Sequence, residues 1–328
     1  GAGVGFATGG QGATPTGLAA ARHAVLKRAG WDVENDGLQG APRLNVVCGE
    51  QAHATIFTAL RLLGLGAETA IRVAADGQGR IDPAALARTL DGLDGPTIVC
   101  AQAGNVATGA FDPFPAIADA CAEQGAWLHV DGAFGLWAAA APSTSELVAG
   151  VERADSWAVD AHKWLNVPYD SAMVIVADPD AHMGAMSLAA SYLVVDPGRR
   201  DSTNFVPESS RRARAVPIYA ALRSLGRAGV AELVERNCAH ARLMAERLAA
   251  IPGAEILNDV VLNQVLVRLP GGAERNRAAV AAIQRDGTCW LGGTQWEGRA
   301  AMRVSFSNWA TSTDDVERSA AAIAAAVA

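Results

Sequence analysis

The chain has 328 residues, half of them hydrophobic and 19% charged, with 27 basic against 34 acidic side chains and a net charge of −7. Abundant apolar residues and low charge exclude disorder over most of its length, and no apolar run approaches the ~18 residues of a membrane span. An acidic chain without a basic block is a poor nucleic-acid binder, so a small-molecule partner is expected. The length suggests about two domains. The five cysteines, Cys48, Cys100, Cys121, Cys238 and Cys289, are scattered and never C-x-x-C. They read as reduced core residues of a cytoplasmic protein rather than zinc ligands or a disulfide frame. The chain opens on Gly1-Ala2-Gly3 with nothing like a signal peptide, which reads as a fragment.

In chain order, strands are predicted at Val4–Thr8, Leu44–Cys48, Ala70–Ala74, Thr97–Ala101, Ala126–Val130, Ser156–Asp160 and Ala172–Val176. Helical stretches fall between them, at Gly12–Arg28, Ala52–Leu63 and Pro113–Gln124. Asp82-Pro83 and Asp112-Pro113 each suggest a capping carboxylate before a proline at the first helical position. Strands alternating with helices imply an α/β fold, a mostly parallel seven-stranded sheet sandwiched by helices. Continuous apolar runs such as Thr97-Ile98-Val99-Cys100 suit buried parallel strands. Beyond Tyr192 the pattern changes to a polar loop, helices at about Arg211–Leu225 and Gly229–Ala249, strands at Glu255–Leu257, Gln264–Leu269 and Met302–Ser305, and an Ala-rich terminal helix. This predicts a large domain over 1–215 and a smaller C-terminal α+β domain over 216–328.

Three segments carry chemistry. Thr8-Gly9-Gly10-Gln11-Gly12-Ala13-Thr14 follows a strand and opens a helix, where free backbone N–H groups favour an anion. It lacks the glycine spacing of a dinucleotide fingerprint and has no Walker lysine. His129-Val130-Asp131-Gly132-Ala133-Phe134 puts an aspartate at the carboxyl end of a buried strand, where parallel sheets bind ligands. Such an aspartate can hold a pyridine nitrogen protonated, or simply cap the following turn. Ser156-Trp157-Ala158-Val159-Asp160-Ala161-His162-Lys163-Trp164-Leu165 places a lysine between apolar runs. A desolvated lysine is nucleophilic and fit for a Schiff base; alone, Lys163 equally fits a snorkelling or ion-paired lysine.

Together these segments resemble the group II pyridoxal-phosphate-dependent amino-acid decarboxylases, of the aspartate-aminotransferase fold type (fold type I). The resemblance runs from about Gly3 to Trp309. It implies that Lys163 forms the internal aldimine with pyridoxal 5′-phosphate, that Asp131 binds the pyridine nitrogen with Ala133 against the ring, and that His53 of Glu50-Gln51-Ala52-His53 stacks on the cofactor. It further implies Asn105, in Gly104-Asn105-Val106-Ala107-Thr108-Gly109, beside the cofactor hydroxyl and substrate carboxylate. Gly10 and Gln11 are implied as phosphate contacts, closed on the other side by Ser156 and His162. No metal is implied.

Some residues depart from the pattern. Asp160 stands where many relatives have asparagine, and a carboxylate repels phosphate unless it is protonated or turned toward a base. The long N-terminal segment that wraps the partner subunit in such enzymes does not precede Gly1. The loop from Pro197 to Ser210, before the pair Arg211-Arg212, lacks the tyrosine that protonates the substrate carbon in relatives. It offers Asn204-Phe205, and the nearest tyrosine is Tyr192. The resemblance therefore implies a homodimeric decarboxylase acting on a small L-amino acid. The alternatives are an aldehyde synthase or carbon–carbon or carbon–sulfur lyase on the same scaffold, or a catalytically silent protein of this fold.

Overall fold

The structure, a computed structural model, describes residues 1–188 and 200–327. Their elements follow in the order β1 (Gly3–Ala7), α1 (Gly10–Arg28), α2 (Val33–Asp36), β2 (Asn45–Gly49), α3 (Ala54–Leu62), β3 (Ile71–Val73), α4 (Pro83–Asp91) and β4 (Thr97–Gln102). Then come α5 (Phe114–Gln124), β5 (Trp127–Asp131), β6 (Ser156–Asp160), β7 (Ala172–Val176) and α6 (Pro179–Met186). The chain continues through α7 (Ala215–Ala249), β8 (Glu255–Ile256), β9 (Gln264–Arg268), α8 (Gly272–Asp286), β10 (Gly292–Trp296), β11 (Arg299–Ser305) and α9 (Thr313–Ala325).

Seven strands form one sheet in the order β1-β7-β6-β5-β4-β2-β3. The run from β3 to β6 is parallel, while β7 lies antiparallel to both of its neighbours. Strands β2, β4 and β5 are buried at every residue, as a sheet covered on both faces requires. Helix α1 is buried from Leu18 to Ala21 and again at Val25 and Leu26. It packs into a core with Val46, Ile56, Leu60, Ile98, Trp127 and Val174.

The two Asp-Pro dipeptides behave differently. Asp82 caps α4, accepting the Ala84 and Ala85 N–H groups at 2.8 and 3.2 Å. Asp112 is no cap, contrary to expectation. Its carboxylate is buried and turned away from α5, accepting the Ile81 N–H at 2.8 Å and the Gln102 N–H at 2.7 Å. Burial raises it to about 7, an effect those two amides only partly oppose.

Contacts cluster the chain into two units. One comprises 1–103, 112–136 and 148–224; the other comprises 104–111, 137–147 and 225–328. Helix α7 is broken at Gly226, whose φ of 62° suits glycine. The second unit has its own antiparallel sheet, β10-β11-β9-β8, and a core that includes Leu248, Val265, Val267, Ile283 and Met302. The Ala-rich helix α9 docks there through Val316, Ala320 and Ile323, with a capping box between Ser312 and Asp315 at its start. All five cysteines are free thiols. No helix among the described residues is long and apolar enough to cross a membrane.

Candidate active site

The carboxyl ends of β5 and β6 bring the chemistry together. Gly132 N–H bonds to Ala158 O and Asp160 N–H to Ala133 O, both at 2.9 Å, so the turn after β5 is stitched to the end of β6. Gly132 must be small, because a Cβ there would come 2.7 Å from the Leu136 Cβ. Asp131, ending β5, is 8% exposed, and its Oδ1 accepts the Ala133 N–H at 3.1 Å. Burial pushes this carboxyl above the usual carboxylate range. The neighbouring His53, the Ala133 amide and Lys163 pull it back.

His53 lies across a cleft that also exposes Ile56, Cys100, Gln102 and Asp112 to Asp131. It is the N-cap of α3, its Nδ1 accepting the Thr55 N–H at 3.2 Å with the Thr55 hydroxyl at 2.8 Å. That fixes the ring at the cleft edge.

Beyond β6, Asp160 is 2% exposed and its Oδ2 lies 2.9 Å from Lys163 Nζ. The expectation of a desolvated lysine is not met: the Lys163 side chain is 41% exposed, and a carboxylate holds its amine. His162 accepts the Ser171 N–H on Nδ1 at 3.1 Å, which leaves the proton on Nε2, 3.6 Å from Asp160 Oδ1. Burial pushes the His162 pKa down, more than Asp160 raises it. Its ring stacks on Tyr169 with centroids 4.2 Å apart. Arg212 and Arg214 clamp the next residue, Asp170, at 2.6 and 2.8 Å. The sequence reading overlooked Tyr169, Asp170 and Ser171. Their one signal was a short polar stretch between Pro168 and the apolar strand that begins at Ala172.

The glycines that open α1 reach the same place. No side chain caps the helix at Gly9. A Cβ on Gly9 would lie 3.1 Å from His162 Cε1, and one on Gly10 3.3 Å from Asp160 Oδ2. Gly10, the exposed Gln11, Asp160, His162 and Lys163 therefore surround one spot.

Ser156 begins β6, four residues and about 13 Å of strand from Asp160. Its hydroxyl is buried, accepting Trp127 Nε1–H at 2.9 Å and meeting His129 Nδ1 at 2.8 Å. Burial drives His129 down to about 3, so the neutral ring can accept the Ser156 O–H. Ser156 is thus a core residue rather than part of the phosphate cradle. Asn105 belongs to the second unit, where its Oδ1 holds its own loop through the Ala107 and Thr108 amides. Phe205 is 5% exposed, packed edge-on to His182 with its carbonyl on His182 Nε2, so it is not a solvent-facing stand-in for a loop tyrosine. Tyr192 lies outside the described residues.

The donor set suits pyridoxal phosphate. It combines an accessible lysine amine, a buried carboxylate facing a cleft with a histidine at its edge, and a helix start that any Cβ would crowd. Comparison with known proteins agrees. The family described as "Pyridoxal-dependent decarboxylase conserved domain" matches residues 1–270. Tryptophan decarboxylase 1 of Oryza sativa subsp. japonica is 30% identical over 313 residues, covering 89% of this chain and 60% of that protein. The acidic amino acid decarboxylase GADL1 of Bos taurus is 32% identical over 235 residues, covering 69% of this chain and 45% of that protein. The crystal structure of Oryza sativa TDC with PLP and tryptamine aligns with a TM-score of 0.90 at 26% identity, over 99% of this chain and 70% of that one. The chain thus spans less than two thirds of the length of these two curated relatives.

Replacing Ser156 with Ala leaves Trp127 Nε1 and His129 Nδ1 buried without a partner. The expected cost is about 1–3 kcal/mol of stability, read by urea unfolding, with pyridoxal phosphate affinity unchanged. Weakened cofactor binding in the folded variant would return Ser156 to the site.

Proposed function

The chain belongs to the pyridoxal-dependent decarboxylase family, and from that membership we propose that the protein removes the α-carboxylate of an L-amino acid using pyridoxal 5′-phosphate carried on Lys163. The observation that supports it most is the convergence of Lys163, Asp131 and His53 around the ends of β5 and β6. When bound, the cofactor supplies an aldehyde for amines and a protonated ring that accepts the electrons left when carbon dioxide departs.

The chain's own residues have separable tasks in this reading. Lys163 would hold the cofactor through its amine. Asp160 Oδ2 holds the Lys163 amine whenever it is free. Asp131 keeps a proton on the ring nitrogen, and its burial makes that interaction stronger than it would be in water. Ala133 and His53 are the residues that would flank the ring. The Gly10 and Gln11 amides, with His162, hold the phosphate.

The substrate stays at the level of an L-amino acid, since the relatives include a tryptophan decarboxylase and an acidic amino acid decarboxylase. We place the protein in the cytoplasm as a homodimer. The free cysteines are consistent with a reducing compartment. The dimer is supported by Val216, Tyr219 and Leu222, exposed by 62%, 67% and 39% at helical spacing along α7.

An amino-acid panel on the full-length protein, assayed for both carbon dioxide and hydrogen peroxide, tests the reaction. Carbon dioxide without peroxide is expected. Equal amounts of both would make it an aldehyde synthase, and neither would defeat the decarboxylase reading. Sedimentation should give a dimer, and a fully active monomer would contradict it.

Asp131→Asn keeps the shape and removes the charge. The electron sink then weakens in the transition state more than in the ground state, so the loss falls on kcat. A drop on the order of 10²–10³ is expected, with the cofactor still bound. Turnover within a few-fold of wild type would make Asp131 a structural residue.

A further inference from the structure

Asp160 is the member of the site that suits an anionic ligand least. Its carboxylate stands between two groups of opposite demand. On one side are Lys163 Nζ at 2.9 Å and His162 Nε2 at 3.6 Å. On the other is the start of α1, where a Cβ on Gly10 or Gly9 would lie 3.3 Å from Oδ2 or 3.7 Å from Oδ1. At 2% exposure, water does little to screen it.

Lys163 and His162 come from the turn after β6, and Asp131 comes from the end of β5, where its charge and that of Asp160 oppose each other. The β1–α1 junction presents the backbone of Gly9 and Gly10. The start of β7 offers the Ser171 N–H, which His162 Nδ1 takes. In the cofactor-free chain the carboxylate is itself the anion beside the helix start, balanced by Lys163.

We infer that Asp160 couples the capture of a phosphate monoester to the uptake of one proton. This rests on the phosphate site proposed at Gly10 and Gln11. An incoming phosphate meets a carboxylate that solvent cannot screen. One proton from solvent, taken up by the cluster of Asp160, His162 and the phosphate oxygens, removes that repulsion without making or breaking any other bond. An asparagine at position 160 needs no such proton, because its amide N–H can donate to the phosphate directly.

Calorimetric titration of inorganic phosphate into the full-length chain freed of cofactor, in two buffers of different ionisation heat, reads the proton directly. The wild type should take up about one proton per phosphate. Its affinity should fall about tenfold per pH unit beyond the change due to phosphate's own ionisation. Asp160→Asn should take up none and bind phosphate about tenfold tighter or more at mildly alkaline pH, with Asp160→Ser showing the same loss of proton uptake. Pyridoxal, which lacks the phosphate, should gain nothing from either substitution. Phosphate binding by the wild type with no proton uptake, or an unchanged proton count in both variants, overturns the coupling and leaves the cofactor reading standing. A gain for pyridoxal equal to that for phosphate also overturns it, since Asp160 would then act only through Lys163. Failure of the wild type to bind either phosphate or pyridoxal phosphate defeats both readings.

Discussion

Two carboxylates, Asp131 and Asp160, meet one ammonium at the carboxyl ends of β5 and β6, and charge taken out of water must be answered by charge. Asp160 has its answer in Lys163, while among the described residues Asp131 is answered by His53, a backbone amide and the more distant Lys163. A ligand with a cationic ring nitrogen at one end and an anionic group at the other fits this imbalance. Its cation completes Asp131, and its anion finds the start of α1. The sheet's role is to hold these groups rigidly enough for the complementarity to matter. Parallel β4, β5 and β6 place Gln102, Asp131 and Ala158 side by side in register, and the turn after β5 is bonded to the end of β6.

Asp112 extends that support. Its buried carboxylate joins the Gln102 amide at the end of β4 to the Ile81 amide, and Gln102 Nε2 reaches Gly79 O at 3.0 Å. Gln102 and Asp112 are therefore tied to the segment before α4 by two hydrogen bonds and to each other by a third. Its elevation to about 7 shows how much burial opposes this carboxylate's charge. The cost is borne at a position that fixes where Asp131 stands.

Much of this was legible because buried strands announce themselves. Ser156–Asp160 and Ala172–Val176 are apolar runs of the right length, and both are strands over those residues. The lysine, the aspartate and the glycine-rich turn could be found because chemistry dictates residue type at strand ends. What stayed hidden was tertiary. Nothing local distinguishes Asp112-Pro113 from Asp82-Pro83, yet one carboxylate caps a helix and the other joins a strand end to a loop. Ser156 was a phosphate contact only by family resemblance, and a strand carries its two ends far apart. Strand β10 begins Gly292-Gly293, with poor strand propensity, and its pairing with β11 supplies what its sequence lacks.

Composition held one more signal. Of the 27 basic residues only Lys27 and Lys163 are lysines, so a lysine-dependent reaction has just two side chains to choose between. Lys163 sits beside Asp160, whereas Lys27 is in the last turn of α1. Borohydride reduction of the full-length protein with its cofactor, followed by peptide mapping, separates them directly. The account predicts a pyridoxyl group on Lys163 alone. A label on Lys27, or none on Lys163, would contradict it.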